Sequence, residues 1–451
     1  MTSPGTSIDV PASVQAVLDR LWTHGHAAYV VGGSVRDALL GRAAKDWDLT
    51  TDARPDRLLA VFPGAVYENQ FGTVAVREGD AVHEVTTFRT DHEYADFRRP
   101  HRVEFGDDVR LDLARRDFTV NAIAWGRQAE ETASALVDPF DGIADLEGRV
   151  LRTVSDPGAR FGEDALRMVR AVRLAAVLDF TIEPATLAAI RDNAALAAHV
   201  SGERVSAELE KLLAAPRPSV GLRLMAETGL LEVLLPELAA QRGVPQNKIE
   251  GEDLFDHTLG SVDAAPPDRP VVRLATLLHD LGKPSTIDDG PFRGHEVIGA
   301  AMAERLLDRL HTPKAATERV VRLVRNHMFT YEPSWGDAGV RRFIQRVGVD
   351  AIDDLFALRR ADNVGSGVPP DAHGLDELRS RVDAELAASV VLDRSRLAVR
   401  GDDLMAELGV PQGARLGRIL DELLERVIAE PKLNDRASLL LLAEQMLADE
   451  P

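Results

Sequence analysis

The sequence predicts an α+β protein in which a head with a short mixed sheet is followed by domains made only of helices. Strand-like apolar runs and glycine turns lie in roughly the first 150 residues, and helical periodicity dominates from Arg160 onward. A chain of 451 residues is also too long for one ordinary core. Breaks rich in proline and glycine place the expected domains at 10–157 (head), 158–248 (helical neck and body), 249–370 (histidine-rich helical domain) and 375–451 (helical tail).

The composition is that of a globular protein, with 45% hydrophobic and 28% charged residues. The absence of cysteine excludes disulfides and thiolate chemistry and leaves histidines and carboxylates as metal ligands. The net charge of −20 argues against a protein that coats nucleic acid without specificity. The apolar run Ser438–Ala443 is far too short to span a bilayer, and residues 1–10 do not read as a signal peptide. We therefore expect a cytoplasmic protein without membrane contact.

The head opens with a glycine turn between a strand and a helix. After an expected helix at 11–24, residues 27–31 read as a buried strand that Gly32 and Gly33 end. Ser34 is expected to cap the next helix, which runs to about Leu40. Free backbone N–H groups at such a turn bind phosphates, and Arg36 lies one turn further on. The segment therefore predicts a triphosphate site.

Three carboxylates follow in the next strands of the head. Asp46 and Asp48 are two residues apart on a predicted strand, so both project from one face about 6–7 Å apart. Glu84 alternates correctly on a neighbouring strand, and we prefer it to Asp91, which lies beyond that strand. Carboxylates in this arrangement suit two Mg²⁺ ions, which activate in-line phosphoryl displacement. An Asp-x-Asp alone is usually a strand-end turn, but the glycine turn upstream strengthens the catalytic interpretation.

A third segment, Arg115–Ala122, supplies further polar groups. Arg116 suits a phosphate, while Asp117 and Asn121 could hold a ribose hydroxyl. The alternative is the start of a surface helix that Asp117 caps.

The fourth segment, Arg160–Arg167, predicts base selection. If Asp164 and Arg167 lie three residues apart on one helix, they present an acceptor beside a donor. That pair matches the edge of cytosine and adenine and penalises guanine and uracil. The alternative is a surface ion pair of little energetic value. Around it, residues 149–173 contain six arginines and three acidic residues, so we expect a basic stripe for RNA in which Arg170 and Arg173 extend the nucleotide site.

These motifs, in this order, resemble those of the class II tRNA nucleotidyltransferases, the CCA-adding enzymes and bacterial poly(A) polymerases of the polymerase β superfamily. The resemblance covers roughly residues 20–245 and includes two further motifs, Asp138–Gly142 and Glu203–Glu208. It implies a polymerase β-type head with neck, body and tail domains. It also implies CTP and ATP as substrates and the acceptor stem and 3′ end of tRNA as the partner.

Two features favour full CCA addition over addition of A alone or poly(A) tailing. Residues 91–100 resemble the family's flexible loop at full length, a loop that relatives adding only CC are said to lack. Residues 393–451 are acid-rich, whereas poly(A) polymerases tend to carry a basic extension. In this tail, the helix expected from Gly413 is a candidate for binding tRNA phosphates.

The region 249–370 contains histidines and aspartates typical of a metal site. The adjacent pair His279-Asp280 ends an apolar helix and could share one metal with distant ligands. Taken singly, each histidine is as well explained by an ordinary packed or exposed role. Together the pattern resembles an HD-type phosphohydrolase domain. The resemblance implies a divalent transition metal or Mg²⁺, four ligands at His257, His279, Asp280 and Asp362, and additional positions at His295 and His327.

Two alternatives of another class remain open. One is an HD phosphohydrolase, active on phosphoesters or 2′,3′-cyclic phosphates, whose head binds RNA without catalysis. The other is a non-catalytic tRNA-binding adaptor. The three intact carboxylates of the head argue against both.

Overall fold

A mixed seven-stranded sheet forms the centre of the head, and its strand order is β3-β4-β5-β2-β1-β8-β9. The computed structural model describes residues 8–44, 46–69, 72–94, 100–246, 248–289, 292–388 and 391–449. The strands of the chain are β1 (Ala28–Val31), β2 (Asp48–Thr51), β3 (Val66–Asn69), β4 (Thr73–Glu78), β5 (Ala81–Thr87), β6 (Arg89–Tyr94), β7 (Pro100–Phe105), β8 (Ala124–Arg127), β9 (Ala135–Val137), β10 (Val150–Leu151) and β11 (Thr181–Ile182).

The centre of the sheet is built from the apolar strand that the sequence predicts. All four residues of β1 are buried, because β1 lies between β2 and β8 with helices on the sheet. β2 pairs with β5 in parallel, with Leu49 opposite Val85. This register places Asp48, the first residue of β2, beside Glu84 in the middle of β5.

Helices dominate the rest of the unit formed by residues 1–239. They are α1 (Ala12–Thr23), α2 (Gly33–Leu39), α3 (Pro55–Val61), α4 (Val109–Ala114), α5 (Gly142–Glu147), α6 (Pro157–Glu163), α7 (Leu166–Leu178), α8 (Pro184–Asn193), α9 (Gly202–Leu213), α10 (Pro218–Thr228), α11 (Leu230–Leu234) and α12 (Pro236–Ala239). The helix α7 buries its apolar face, including Met168, Val172 and Ala175, and so forms the centre of this helical region.

The second unit, residues 240–451, contains helices without strands among its described residues. They are α13 (Leu254–Ala264), α14 (Pro270–Leu278), α15 (His295–Arg309), α16 (Lys314–Asn326), α17 (Asp337–Val347), α18 (Ile352–Gly365), α19 (Leu375–Ala387), α20 (Gly401–Leu408), α21 (Ala414–Ala429) and α22 (Arg436–Asp449). The tail has its own apolar core, in which Leu404, Leu423 and Leu439 are fully buried. The α+β class is thus confirmed, and no helix in the described ranges has the length and apolar character needed to cross a bilayer.

Three local predictions need correction. The helix after the glycine turn begins at Gly33, and Ser34 lies inside it with its hydroxyl donating to the Val31 carbonyl, so Ser34 is not the cap. The strand expected from Asp46 begins at Asp48. Asp164 lies between α6 and α7 in an extended conformation (φ −146°, ψ 104°), so it does not share a helix with Arg167.

Half of the predicted flexible loop, residues 95–99, lies outside the described residues. The other half belongs to two paired strands, since residues 91–94 end β6 and Pro100 begins β7. Asp91 belongs to β6, which lies in a separate two-stranded sheet. That placement supports the choice of Glu84 as the third carboxylate of the main sheet.

Candidate active site and metal centre

The acidic residues of the head converge where β2 begins beside the middle of β5. Asp48 and Glu84 are solvent-accessible neighbours in the parallel register. Partial burial raises the pKa of Asp48, Arg116 opposes this shift, and Asp46 adds to it. Partial burial also raises the pKa of Glu84, and Glu68, Asp48 and Asp46 raise it further. The carboxylates therefore repel one another, and a divalent cation between them would relieve that repulsion.

The glycine turn brings a half-buried arginine, Arg116, to these carboxylates. Gly32 has φ 79°, which glycine adopts readily. A Cβ atom on Gly32 would lie only 2.7 Å from the Arg116 Nη1 atom and 3.8 Å from the Asp48 Oδ2 atom. Glycine is thus required for Arg116 to approach the turn. The Gly32 turn, the Arg116 guanidinium and the Asp48 carboxylate therefore lie close together, an arrangement that suits a metal-bound phosphate.

A chain of hydrogen bonds connects the turn helix to the helical neck. Arg36 Nη1 donates to Asn121 Oδ1 at 2.7 Å, and Asn121 Nδ2 donates to Asp117 Oδ1 at 3.1 Å. The other oxygen of Asp117 accepts from Arg170 Nε at 2.7 Å. Burial would raise the pKa of Asp117, but Arg170 and Asn121 hold it well below the usual value. Asp117 is therefore a fixed anion that positions both of its partners.

The two residues expected to select the base have different partners in the structure. Both oxygens of Asp164 accept from Arg204, at 3.1 Å from Nη1 and 2.7 Å from Nη2. Arg167 donates to Glu163 at 2.5 Å and to the Arg115 carbonyl at 3.0 Å. The two side chains therefore do not form the ion pair that the helical spacing suggested. Their role toward a base remains a prediction.

The arginines of the basic stripe all lie near carboxylates. Each of its six arginines lies within 4 Å of a carboxylate oxygen; the pairs are Arg149–Asp179, Arg152–Asp145, Arg160–Glu163, Arg167–Glu163, Arg170–Asp117 and Arg173–Glu208. Each arginine of the basic stripe expected at 149–173 thus has a carboxylate neighbour, and contact of the stripe with RNA stays a prediction. Arg170 and Arg173 hold the buried Glu208, at 3.8 and 2.5 Å, so they stiffen the neck beneath the candidate nucleotide site.

The second unit contains a cluster of buried histidines and aspartates at the ends of its helices. The Nε2 atoms of His257 and His279 lie 3.3 Å apart, and they lie 3.3 and 3.2 Å from Asp280 Oδ2. Asp362 Oδ1 lies 3.3 Å from His257 Nε2 and 3.7 Å from His279 Nε2. The structure thus brings together the four residues expected to be ligands.

The other oxygen of Asp280 faces a second pair of histidines. Asp280 Oδ1 lies 3.2 Å from His295 Nε2 and 3.6 Å from His327 Nε2. The two Nε2 atoms are 3.2 Å apart. Asp280 is fully buried and separates two groups of ligand atoms, each compact enough for one ion. It is therefore suited to bridge two metals.

The tautomers of the four histidines fit a metal centre. Each Nδ1 atom lies 2.6–2.9 Å from a backbone carbonyl: Gly365, Thr276, Phe292 and Val324 for His257, His279, His295 and His327. A carbonyl only accepts, so each Nδ1 holds the proton and each neutral ring presents the Nε2 lone pair to the cluster. Burial would lower the pKa of His279, but with no metal bound Asp280 and Asp362 raise it to about 9, so Nε2 of this ring would then also carry a proton. A metal ion bound between the same carboxylates would displace that proton and leave the ring neutral.

Three family models match successive parts of the chain. They describe a Poly A polymerase head domain at residues 28–152, a probable RNA and SrmB-binding site of polymerase A at 179–242, and an HD domain at 249–364. Among similar proteins, the CCA-adding enzyme of Geobacillus kaustophilus (strain HTA426) is 46% identical over 429 residues, with 93% of each chain covered. This chain belongs to the CCA-adding enzyme family.

Other members and their structures agree with this membership. The CCA-adding enzyme of Geobacillus sp. (strain WCH70) is 34% identical over 420 residues, with 93% of each chain covered. A crystal structure of the Bacillus stearothermophilus CCA-adding enzyme with CTP superposes with a TM-score of 0.72 at 30% identity, covering 97% of each chain. The Thermotoga maritima enzyme with tRNA shares the fold alone, with a TM-score of 0.57 at 19% identity, covering 97% of this chain and 96% of that one. As a CCA-adding family member, the chain is a nucleotidyltransferase, which uses nucleotide substrates and divalent metals.

Several residues that organise the two sites were given no role of their own from the sequence, although two of them belong to the motif Glu203–Glu208. Arg204 and Glu208 lie four residues apart on α9 and hold Asp164 and Arg173. Their spacing on one helix face was visible, but their partners lie 40 and 35 residues away. Lys283 contacts Asp280 at 2.6 Å and Lys248 lies 3.7 Å from Asp362; a lysine three residues after the His-Asp pair was the available signal for the first.

Proposed function

We propose that this enzyme adds CCA to the 3′ ends of tRNA without a nucleic-acid template, using CTP and ATP and releasing pyrophosphate. The single observation that supports this most is the convergence of Asp48, Glu84, Arg116 and the Gly32 turn beside the start of β2. We place the reaction in the cytoplasm.

The proposed mechanism assigns each group in the head a role. Mg²⁺ ions held by Asp46, Asp48 and Glu84 would activate the RNA 3′-hydroxyl and the α-phosphate when bound. The turn at Gly32 and Gly33, with Arg36 and Arg116, would hold the triphosphate; Asp117 and Asn121 would position the ribose. Asp164 and Arg167 would accept cytosine and then adenine through a donor–acceptor edge. Because Arg204 occupies both Asp164 oxygens, a base must share or displace one of those hydrogen bonds.

The proposed division of labour follows the expected domains. The head, 10–157, performs the transfer, and the neck and body, 158–248, select the nucleotide and contact the acceptor stem. The HD domain, 249–370, holds metal, and in the tail, 375–451, the N-terminus of the helix that follows Gly413 binds tRNA phosphates.

The deciding experiment extends tRNAs that end before CCA, after C or after CC, with CTP alone, ATP alone and both. A CCA-adding enzyme incorporates C, C and A in order and then stops. Addition of A alone, or of many A residues, would favour an A-adding or poly(A) polymerase.

The head site is tested by Asp46→Ala, with Asp56→Ala as the control because Asp56 is an exposed aspartate of the same unit. Incorporation should disappear in the first variant and persist in the second. If Asp46→Ala retains incorporation, the carboxylate site is misplaced, and an RNA-binding head on a phosphohydrolase becomes the better interpretation.

We also propose a metal-dependent phosphohydrolase activity for the HD domain, because Asp280 lies between two compact groups of histidines. His279→Ala should lower the metal content of the full chain and any phosphatase activity. The control is His311→Asn, since His311 has a left-handed backbone (φ 54°) that asparagine tolerates. Unchanged metal content in His279→Ala would refute the site.

A further inference from the structure

Three basic side chains surround the two carboxylates of the histidine cluster. Lys283 Nζ lies 2.6 Å from Asp280 Oδ2, and Arg359 Nη1 lies 2.8 Å from Asp362 Oδ2. Lys248 Nζ lies 3.7 Å from Asp362 Oδ1. Glu296 also faces the cluster, with its Oε2 atom 3.8 Å from His295 Nδ1, so the three basic side chains are balanced by three carboxylates before any metal binds. Each divalent ion would then add excess positive charge to a largely buried site, and such an excess favours an anionic ligand.

A buried amide adds an unused donor at the same place. Gln246 is 9% exposed, and its Oε1 atom accepts from Lys283 Nζ at 3.4 Å. Within the part of the chain that the structure describes, its Nε2 atom has no hydrogen-bond partner. A buried donor of this kind is costly unless a ligand or water satisfies it. Gln246 thus points independently to a bound acceptor.

Gln246 and Lys248 come from outside the HD match. The family model begins at residue 249, whereas both side chains belong to the segment that precedes α13. Lys248 is tied to α18 by a 2.8 Å hydrogen bond to Ser366 Oγ. The segment is therefore held against the cluster by its own contacts and supplies two donors that the HD helices lack.

We propose that Gln246, Lys248 and Lys283 form an oxyanion subsite that binds the terminal phosphoryl group of a phosphomonoester beside the metals. Three donors match the three terminal oxygens of a dianionic phosphomonoester, whereas a cyclic phosphodiester has two terminal oxygens and one negative charge. The proposal rests on the proposed metal site of the HD domain and names the substrate class of that site.

The test measures phosphate binding rather than turnover. The full chain with Asp48→Ala, which removes the head metal site, is loaded with Mn²⁺ and titrated with inorganic phosphate by calorimetry. Lys248→Gln should weaken phosphate binding by about tenfold or more, as expected for a lost charged hydrogen bond. Gln246→Leu should weaken it several-fold. Lys314→Gln is the matched control, because Lys314 is 89% exposed, and should have no effect.

Manganese content, measured on each variant, separates the two proposals. Equal Mn²⁺ content with reduced phosphate affinity in Lys248→Gln and Gln246→Leu supports the subsite. Equal Mn²⁺ content with unchanged affinity in both variants overturns the subsite alone. If the starting chain takes up no Mn²⁺, the metal site and the subsite both fail. Finally, 3′-AMP should bind more tightly than 2′,3′-cyclic AMP, and the reverse order would overturn the assignment to phosphomonoesters.

Discussion

Replacing Asp117 by asparagine should destabilise the first unit by about 3 kcal/mol, because it leaves the Arg170 guanidinium without its main counter-charge. The Asp117 side chain is 10% exposed and Arg170 is 33% exposed, and their closest atoms are 2.6 Å apart. Removing one partner of a buried ion pair costs about 3–5 kcal/mol. The lower end applies because Glu208, 3.8 Å away, still compensates part of the charge.

The matched control is Asp179→Asn. Asp179 also pairs with arginine, but the Arg149–Asp179 pair is 3.7 Å apart and its side chains are 69% and 68% exposed. Such surface pairs contribute about 0–1 kcal/mol. Asp179 has a left-handed backbone (φ 59°), which asparagine also tolerates. The same chemical change should therefore have little effect there.

The assay is urea unfolding of the full chain in a Trp335→Phe background. The remaining tryptophans, Trp22, Trp47 and Trp125, all lie in residues 1–239, so fluorescence reports on that unit. The two aspartate variants are compared by the shift in midpoint at unchanged slope. Equal shifts for Asp117→Asn and Asp179→Asn would refute the argument from burial.

The dependence on pH provides a second check. The pKa of Asp117 is lowered in the folded state, mainly by Arg170 acting against burial. A lowered carboxyl pKa stabilises the fold above the unfolded value of about 4 and loses that contribution as pH falls toward the folded pKa. The difference between Asp117 and its asparagine variant should therefore be constant from about pH 5 to 7.5 and shrink below about pH 4. A difference that disappears near neutral pH would contradict the assignment.

Three further predictions concern the two sites. Because burial and neighbouring carboxylates raise the pKa of Glu84, the Mg²⁺ affinity of the head should fall as pH drops through that raised pKa. In magnesium titrations, a Glu84→Gln variant should lose this dependence on pH. Identical profiles of Mg²⁺ affinity against pH for the two proteins would argue against Glu84 as a ligand. Arg204→Ala should raise KM for CTP and ATP about tenfold, because it removes the partner that positions Asp164. Arg204→Lys should restore KM in part, because lysine keeps the charge but cannot form both hydrogen bonds of the guanidinium. An unchanged KM in Arg204→Ala would show that Arg204 does not contribute to the nucleotide site. Elemental analysis should show that Asp280→Asn loses the metal of both histidine groups, whereas His295→Ala loses only one equivalent of metal. Equal loss of metal in the two variants would contradict a bridging Asp280.

Much of the head was accessible from the sequence because its signals are local. The alternation of side chains along a strand predicted which faces carry Asp48 and Glu84. The parallel register of β2 and β5 then places these two residues side by side. The turn at Gly32 could be recognised from its neighbouring residues alone. The errors were also local in origin: helical spacing suggested a pair between Asp164 and Arg167, but the break between α6 and α7 separates them.

The amino-acid order alone determined the fold class, the kinds of groups available and the expected metal ligands, because those depend on short-range periodicity and on side-chain chemistry. Only the tertiary structure decided which charged groups have partners. Every arginine of the stripe at 149–173 lies beside a carboxylate, and Asp164 pairs with Arg204. One oxygen of Asp280 faces each of the two pairs of histidines. The physical reason is that ion pairs and metal clusters depend on distances of a few ångströms between residues far apart in the chain, and packing fixes those distances.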